Sequence, residues 1–428
     1  MKIAKNTVRG ENSRDMKSAN RLLFLRLLCT EGPLVRGEIA NRTGLSKMTV
    51  SNIITDLVAA GLLREEVDTE GKNGAGRKPG LLSLASDSPT VVGMHIGRKS
   101  CHVLISDLSA QVLLEQERDY PANLTGDRLV ALLLRTLKEL RKDYDRPIVC
   151  VGISALGPLD NRSGILLAPP NFYGIRNFPL RSRLEDALGI PCLLSHDISA
   201  AAQAELLYGA GRELGDFLHL HFGNGIGAGI VAQGKLFDGV MGLSGELGHT
   251  SIDYRGPLCD CGNRGCLELY ANAQNLTADY AQARMDAGLP ATRQVLSLPE
   301  ILALAHREDP GALYALDRFC EYVSAALVNC LNLIDTHCVL LSHKGQPSSL
   351  MESMLQEKVN ERLLAASCRR VTVRPSTFQF RAPAMGAIAV AAEAIFSGQI
   401  PILPAPATSG AAEPQPCRAD CPNCIQKL

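Results

Sequence analysis

Apolar residues recur every three or four positions through the first part of the chain, and this spacing predicts helices. A first helix covers residues 18–29 and stops before a Gly-Pro pair. A second begins near residue 35 and ends at Gly44, and Ser46 caps a third. The positions of the third helix that we expect to face inward are Val50, Ile53, Ile54 and Leu57.

Two short strands follow the third helix, and the segment between them is rich in glycine and basic residues. We expect the strands at 62–67 and 81–84, with the basic tip at 74–79. Three helices and a two-stranded wing are typical of a winged helix-turn-helix DNA-binding domain, which we place at 16–86. A helical protein-interaction module with a solvated basic hairpin is the alternative. The residues expected to contact DNA are Ser46, Lys47, Thr49, Ser51, Asn52, Arg77 and Lys78.

Beyond a linker at 86–89, strands alternate with helices, as in an α/β domain. Two strands joined by a turn are expected at 91–108, and further strands at 148–153 and 191–194. The composition changes to Pro, Ala, Ser and Gly near the end, so we expect 401–428 to be a disordered tail. A metal or cluster site and a redox-exposed tail are both compatible with its Cys417, Cys421 and Cys424.

Charge is balanced over the whole chain, with 44 basic and 44 acidic residues, but it is divided unevenly. Residues 1–86 carry 14 Lys and Arg against 9 Asp and Glu, and the remainder carries 30 against 35. A basic N-terminal region agrees with binding to nucleic acid. Most of the 14 cysteines lie singly in apolar runs, which favours a cytoplasmic protein with reduced thiols. No apolar run reaches the length that crosses a membrane.

One histidine and three cysteines lie close together in two glycine-containing segments, 245–249 and 259–268. Thiolates with an imidazole are the ligands of a tetrahedral zinc site, and glycines let the chain turn tightly enough to share one ion. We expect one structural Zn²⁺ per chain, because four protein ligands leave no open position for a reacting water. Unrelated buried cysteines or a disulfide pattern are the alternative. The expected ligands are His249, Cys259, Cys261 and Cys266.

Four further segments could contact a ligand, although each also has a purely structural explanation. Residues 152–158 and 223–229 contain glycines whose backbone can approach a ligand closely or simply form a turn. Asp197 follows a predicted strand, where an aspartate faces a ligand crevice in many α/β folds or caps a helix. Asn171 lies in a loop that could supply a polar contact.

With these segments in this order, the chain resembles the ROK family of bacterial repressors and sugar kinases over about residues 18–398. The most specific part of the resemblance runs from Gly248-His249 to Cys266-Leu267-Glu268. It implies an actin-like (ribonuclease H-like), two-lobed α/β domain at 90–398, with a sugar site between the lobes and zinc beside it. The winged helix resembles the repressor branch, because the kinases generally lack that extension.

The resemblance also implies roles for individual residues. In the kinases, the aspartate matching Asp197 is the general base for the sugar hydroxyl, and His196 stands here in place of the usual asparagine. Carboxylates suit this work because each oxygen can accept from adjacent hydroxyls. The residues implied as sugar contacts are Asn171, His196, Asp197, Glu246, His249 and Glu268. One ring nitrogen of His249 would bind zinc, and the other would orient the ligand.

Two nucleotide loops depart from the kinase pattern. The Asp-x-Gly-Gly-Thr loop that approaches ATP in the kinases reads His95–Lys99 here, and the Gly-Gly pair beside the adenosine reads Ser342-His343. Phosphoryl transfer depends on positioning the phosphates and the metal together. We therefore expect no catalytic residues, with Asp197 at a vestigial general-base position.

These features predict a repressor of carbohydrate metabolism that binds double-stranded operator DNA and responds to a sugar or sugar-derived effector. A homodimer or higher homo-oligomer would match an inverted-repeat operator. The first alternative is a sugar kinase that retains a DNA-binding arm and phosphorylates a hexose with ATP. The second is a regulator controlled by a docked protein, a role that could coexist with a sugar site.

Overall fold

The computed structural model describes residues 13–66, 80–223, 225–239, 242–290 and 294–402. Arg77 and Lys78 of the expected wing tip lie outside these ranges, as do the three cysteines of the expected tail. Within these ranges, no helix combines the length and the apolar character needed to cross a membrane.

Three helices and a small antiparallel sheet form the N-terminal domain. Its elements are α1 (Ser13–Glu31), β1 (Leu34–Val35), α2 (Arg36–Thr43), α3 (Lys47–Ala59), β2 (Leu63–Glu66) and β3 (Leu81–Leu84), and the strand order is β1-β3-β2. Gly44 ends α2 with φ 69°, a left-handed conformation that favours glycine. Ser46 caps α3, because its Oγ accepts from the Thr49 N–H at 3.2 Å. The predicted helices, cap and inward-facing positions are therefore confirmed.

The first lobe is built on a five-stranded sheet with the order β10-β7-β4-β5-β6. Its elements are β4 (Thr90–Ile96), β5 (Ser100–Ser106), β6 (Val112–Asp119), α4 (Gly126–Leu140), β7 (Ile148–Ala155), β8 (Leu159–Asp160), β9 (Ile165–Leu166), α5 (Leu180–Leu188) and β10 (Cys192–His196). Strands β4, β5 and β6 are antiparallel, whereas β7 and β10 extend the sheet in parallel from β4.

The second lobe repeats this arrangement, with the order β13-β12-β11-β14-β15. Its elements are α6 (Asp197–Tyr208), β11 (Phe217–Phe222), β12 (Ile226–Ala232), β13 (Lys235–Leu236), α7 (Ala273–Asp286), α8 (Leu298–Ala305), α9 (Pro310–Ile334), β14 (Cys338–His343), α10 (Ser349–Arg362), β15 (Thr372–Pro375) and α11 (Ala382–Phe396). Three antiparallel strands are again extended by two parallel ones. The predicted two-lobed α/β domain is thus confirmed.

Helix α11 packs closely against both the first sheet and α6. A Cβ added to Gly152 of β7 would lie 1.9 Å from the Ala387 carbonyl oxygen. A Cβ added to Gly386 would lie 2.4 Å from the carbonyl carbon of Ala200 in α6. Because no side chain fits at either contact, glycine is what permits this close approach of backbones.

The N-terminal domain shares a hydrophobic core with the two-lobed α/β domain that follows it. Leu25 and Leu28 of α1 belong to the same buried cluster as Ile395 of α11. On the edge of this cluster, Arg26 Nη1 lies 3.4 Å from Glu393 Oε2. The orientation of the DNA-binding domain is therefore tied to α11 by apolar packing and by an ion pair.

The predicted linker at 86–89 is a short connection that packs against the first lobe. Ser88 is fully buried, and its carbonyl oxygen accepts a hydrogen bond from Arg146 Nη2 at 2.6 Å. The two domains are consequently joined by a linker that packs against the first lobe, as well as by the shared core.

Glu205, near the end of α6, is a fully buried carboxylate. It accepts hydrogen bonds from Ser376 Oγ at 2.6 Å, from the Phe378 N–H at 3.2 Å and from the Ala210 N–H at 3.0 Å. Its oxygens are thus occupied in joining α6 to the segment that follows β15, and its role is structural.

Candidate ligand cleft and metal centre

The end of β10 and the start of α6 place a histidine and an aspartate between the two sheets. His196 Nε2 lies 3.5 Å from Glu246 Oε1, and its Nδ1 lies 3.6 Å from Asp197 Oδ1. A Cβ on Gly157 would lie 2.6 Å from the His196 ring, so this glycine makes room for the imidazole. The structure therefore brings together three of the predicted contacts, His196, Asp197 and Glu246.

A second carboxylate–histidine pair lies beside the glycine turn between β11 and β12. Glu268 Oε1 accepts from the Ile226 N–H at 2.8 Å, and its Oε2 lies 3.9 Å from His249 Nε2. A Cβ on Gly225 would lie 2.3 Å from Glu268 Oε1. The glycine in this turn thus allows the Glu268 carboxylate to approach the backbone. One carboxylate oxygen is fixed by the backbone N–H, and the other faces His249.

The four expected metal ligands form one cluster in which all ligand atoms lie within 4.8 Å of one another. Cys259 Sγ lies 3.8 Å from His249 Nδ1, and Cys261 Sγ lies 3.6 Å from Cys266 Sγ. Sulfur atoms in a disulfide are about 2.05 Å apart, so this cluster is not a disulfide. One imidazole nitrogen and three sulfurs form a donor set that could hold a metal ion.

Burial, followed by hydrogen bonding to the neighbouring thiols, raises the pKa of Cys266 to about 12. A crowded thiol of this kind needs a positive charge to become a thiolate. A divalent cation supplies that charge, since thiols that coordinate a metal are deprotonated. The converging donor set, one imidazole nitrogen and three sulfurs, therefore fits a bound cation.

Two backbone features fold the cysteine loop back on itself. The Cys259 N–H donates to the Asn263 carbonyl at 2.8 Å, which closes a tight turn. Gly265 has φ 64°, and a Cβ there would lie 1.8 Å from the Asp253 carbonyl oxygen. Only glycine fits this position, which brings Cys266 back toward His249.

Asn171 is exposed in the loop before α5, with φ 52°. Among the described residues, no hydrogen bond links its side chain to the other predicted contacts. Arg98 Nη1 donates to the carbonyl of the preceding Pro170, which ties this loop to the segment after β4. The structure therefore places Asn171 in a loop that a hydrogen bond anchors, but no hydrogen bond among the described residues links it to His196, Asp197 or Glu246.

Two histidine–serine pairs lie at equivalent places in the two sheets. His95 Nδ1 of β4 lies 3.0 Å from Ser154 Oγ of β7, and His221 Nδ1 of β11 lies 2.7 Å from Ser342 Oγ of β14. Burial is the largest cause that lowers the pKa of His95 and of His221, the latter to about 3. Both imidazoles are therefore neutral near pH 7. In the sequence, His95 departs from the kinase pattern, but nothing there indicates that His221 takes the equivalent position in the second sheet.

Several of the expected DNA contacts are already used within the N-terminal domain. Ser46 Oγ and Thr49 Oγ1 are 2.9 Å apart within the cap of α3. Ser51 Oγ accepts from Arg36 Nη1 at 2.6 Å, and Arg36 also forms an ion pair with Glu65. The exposed residues of α3 near its start are Lys47, Met48 and Asn52. Met48 was not among the expected contacts, although its spacing of four from Asn52 would have indicated it.

The sequence matches two families, one for each domain. Residues 91–394 match the ROK family. The chain belongs to the ROK family. Residues 15–72 match the MarR family, so the N-terminal domain of this ROK protein is a MarR-type winged helix.

Relatives of this ROK protein include regulators and kinases. A xylose repressor from Bacillus subtilis (strain 168) is 28% identical over 376 residues, which cover 87% of this chain and 94% of that repressor. The crystal structure of a ROK family transcriptional regulator, a homologue of the E. coli MLC protein, has a TM-score of 0.74 at 27% identity and covers 90% of this chain and 98% of its own. A ROK hexokinase from Thermus thermophilus has a TM-score of 0.59 at 28% identity, covering 70% of this chain and 97% of its own.

The buried histidines of β11 predict a loss of stability in mild acid. Burial lowers the pKa of His219 and of His221 to about 3, whereas an unfolded histidine titrates near ~6.5. The unfolded chain therefore binds protons first as the pH falls below ~6.5, and each histidine should lower the free energy of unfolding by roughly 1 kcal/mol at pH ~5.5.

Urea unfolding at neutral and mildly acidic pH measures this effect. His219→Leu should remove one histidine's share of the pH dependence, because leucine has no group to protonate. The same pH dependence in the wild type and in His219→Leu would contradict the assignment of a neutral, buried imidazole.

Proposed function

We propose that this ROK protein is a transcriptional repressor of carbohydrate metabolism whose cleft binds a sugar or sugar-derived effector. The observation that carries the proposal is the contrast between the two sides of the cleft. Carboxylates and histidines cluster at the positions where we propose that the sugar binds, whereas neutral histidines lie at the positions that match the nucleotide loops of the kinases. The MarR-type domain and the xylose repressor of B. subtilis support the regulatory assignment.

The sugar contacts that we propose are carboxylates and imidazoles, which suit a polyol. Asp197, Glu246 and Glu268 would each accept hydrogen bonds from adjacent hydroxyls, and charge-assisted bonds of this type are the stronger ones. His196 lies between two of these carboxylates, 3.6 Å from Asp197 and 3.5 Å from Glu246. His249 would present Nε2 to the ligand, while Asn171 would contribute from its loop.

The two loops that hold the nucleotide in the kinases lack here the carboxylate and the glycine pair of that pattern. A kinase site positions the phosphates with backbone donors and neutralises them with cations and a metal held by carboxylates. Here His95 stands at the carboxylate position of the first loop, and Ser342 and His343 replace the glycine pair. Two neutral imidazoles offer neither a magnesium ligand of the usual kind nor a positive charge. Asp197 would therefore orient a ligand and not act as a general base.

We assign a structural zinc to His249, Cys259, Cys261 and Cys266, because three thiolates and an imidazole match the preference of this ion. Bound zinc would supply positive charge and crosslink the two segments of the loop. That loop also presents Glu246 and Glu268, so the ion would fix the sugar side of the cleft without contacting the ligand.

The packing of α6 against α11, and of α11 against α1, offers a route from the cleft to the DNA-binding domain. Asp197 is the first residue of α6, and Gln203 further along α6 has its Nε2 3.5 Å from Glu393 Oε2. Glu393 in turn pairs with Arg26 of α1. In a homodimer on an inverted-repeat operator, a small movement of α6 and α11 would change the separation of the two recognition helices.

Footprinting of the purified protein on its own upstream DNA, with and without a sugar panel, tests the proposed function. We expect a protected inverted repeat whose affinity changes with one sugar, and no ATP-dependent phosphorylation of that sugar. Glu246→Gln should weaken the sugar response about tenfold, since a charge-assisted hydrogen bond is lost, whereas the exposed Glu213→Gln should not.

Two outcomes would contradict this proposal. The absence of any protected site would exclude the repressor, and ATP-dependent phosphorylation abolished by Asp197→Asn would establish the kinase instead.

Metal analysis of the purified protein tests the zinc assignment. We expect about one zinc per chain and a loss of metal in Cys261→Ser, because zinc prefers four protein ligands in structural sites. Cys261 is exposed, so this change removes a donor without disturbing the core, and the equally exposed Cys368→Ser serves as the matched control. Chelation should lower the thermal midpoint and weaken sugar binding. If chelation left the thermal midpoint and sugar binding unchanged, the assignment of a structural zinc would be wrong.

A further inference from the structure

The start of α3 exposes an apolar side chain where the winged helix meets DNA. We infer that Met48 reads thymine methyl groups in the major groove of the operator. This inference rests on the proposed operator binding and adds a specificity-determining residue to it. In helix-turn-helix domains the second helix of the motif lies in the major groove, and its N-terminal residues contact base edges.

The helical phase of α3 places Met48 on the outward side. Val50, Ile53, Ile54 and Leu57 are buried and form the inner face. Met48, Asn52 and Thr55 are spaced by four and three residues, so they share one stripe on the face opposite to that core. All three are exposed, and 75% of the Met48 side chain is accessible.

The polar residues beside this stripe are already committed to the fold. Ser46 and Thr49 bond to each other in the helix cap, and Ser51 accepts from Arg36. These hydroxyls form hydrogen bonds within the domain that stabilise α3. The side chains of the outward stripe are therefore the ones that we expect to contact the bases. Met48 is the apolar member of that stripe.

The chemistry of the major groove gives an exposed methionine one matching group. The C5-methyl of thymine is the apolar group on the base edges there, and asparagine can bond adenine through N6 and N7. Met48 beside Asn52 therefore matches A·T pairs. An apolar protein-docking patch fits less well, since Asn52, Thr55 and Lys47 around Met48 are polar or charged.

Replacement of thymine by uracil tests the inference, because it removes the methyl group and nothing else. A half-site sequence would first be selected from a randomised duplex pool with the full-length protein. Each thymine of the selected duplex would then be replaced by uracil in turn, and the dissociation constants measured for the wild type, Met48→Ala and Met48→Leu. Exposure of Met48 makes both variants compatible with the fold, and circular dichroism verifies this.

The wild type should lose about fourfold in affinity at one thymine of each half-site, which corresponds to removal of one buried methyl. Met48→Ala should bind the thymine and uracil duplexes equally, whereas the apolar Met48→Leu should retain the discrimination. Lys47→Ala is the control for phosphate contacts and should weaken both duplexes alike.

Three results would overturn the inference. Equal binding of thymine and uracil duplexes by the wild type would show that no methyl is read. Discrimination that persists in Met48→Ala would assign the methyl to another residue. Failure to select any duplex would reject operator binding itself, and with it this role of Met48, whereas the first two results leave operator binding intact.

Discussion

The packing of α11 against α6 and the first sheet is the contact on which the rest of the molecule depends. Gly152 and Gly386 allow backbone to meet backbone at a distance that excludes any side chain. The same helix buries the apolar side of α1 and pairs Glu393 with Arg26. Because close-packed interiors switch between arrangements and do not deform smoothly, we propose that a displacement of α6 moves α11 and α1 with it.

Around this frame, the cleft has two sides with different chemistry. On one side, Glu246 and Glu268 belong to the segments that carry the His–Cys₃ cluster, and glycines let both carboxylates lie against the backbone or a ring. On the other, His95 and His221 are each held by a buried serine and stay neutral. This contrast underlies our proposal that the cleft recognises hydroxyl groups and does not transfer phosphoryl groups.

Local features of the structure could be predicted from the sequence. Apolar spacing located α1, α2 and α3, and Ser46 marked the start of α3, because helix caps and helix faces depend on nearby residues. Residue type and glycine spacing identified His249 and the three cysteines, since metal ligands must converge. The position of Asp197 at a strand end likewise indicated the cleft.

Long-range contacts could not be predicted in this way. The approach of Arg26 to Glu393 joins residues 367 positions apart, and apolar spacing contains no information about that pairing. Ser51 accepts a hydrogen bond from Arg36, and Glu205 accepts hydrogen bonds from three donors. Both residues are of a type that could bind a ligand, but their contacts stabilise the fold. The match of His95 with His221 depends on the repeat of strand order in the two sheets, which is visible only after folding.

The reciprocal coupling between effector and operator tests the central claim most directly. The operator dissociation constant would be measured with and without saturating sugar, in the wild type and in Arg26→Ala. We expect a change of at least about fivefold in the wild type, a typical allosteric coupling. In Arg26→Ala we expect a smaller change, with the sugar affinity measured without DNA preserved. A sugar that binds the cleft tightly but leaves operator affinity unchanged in both proteins would contradict the central claim.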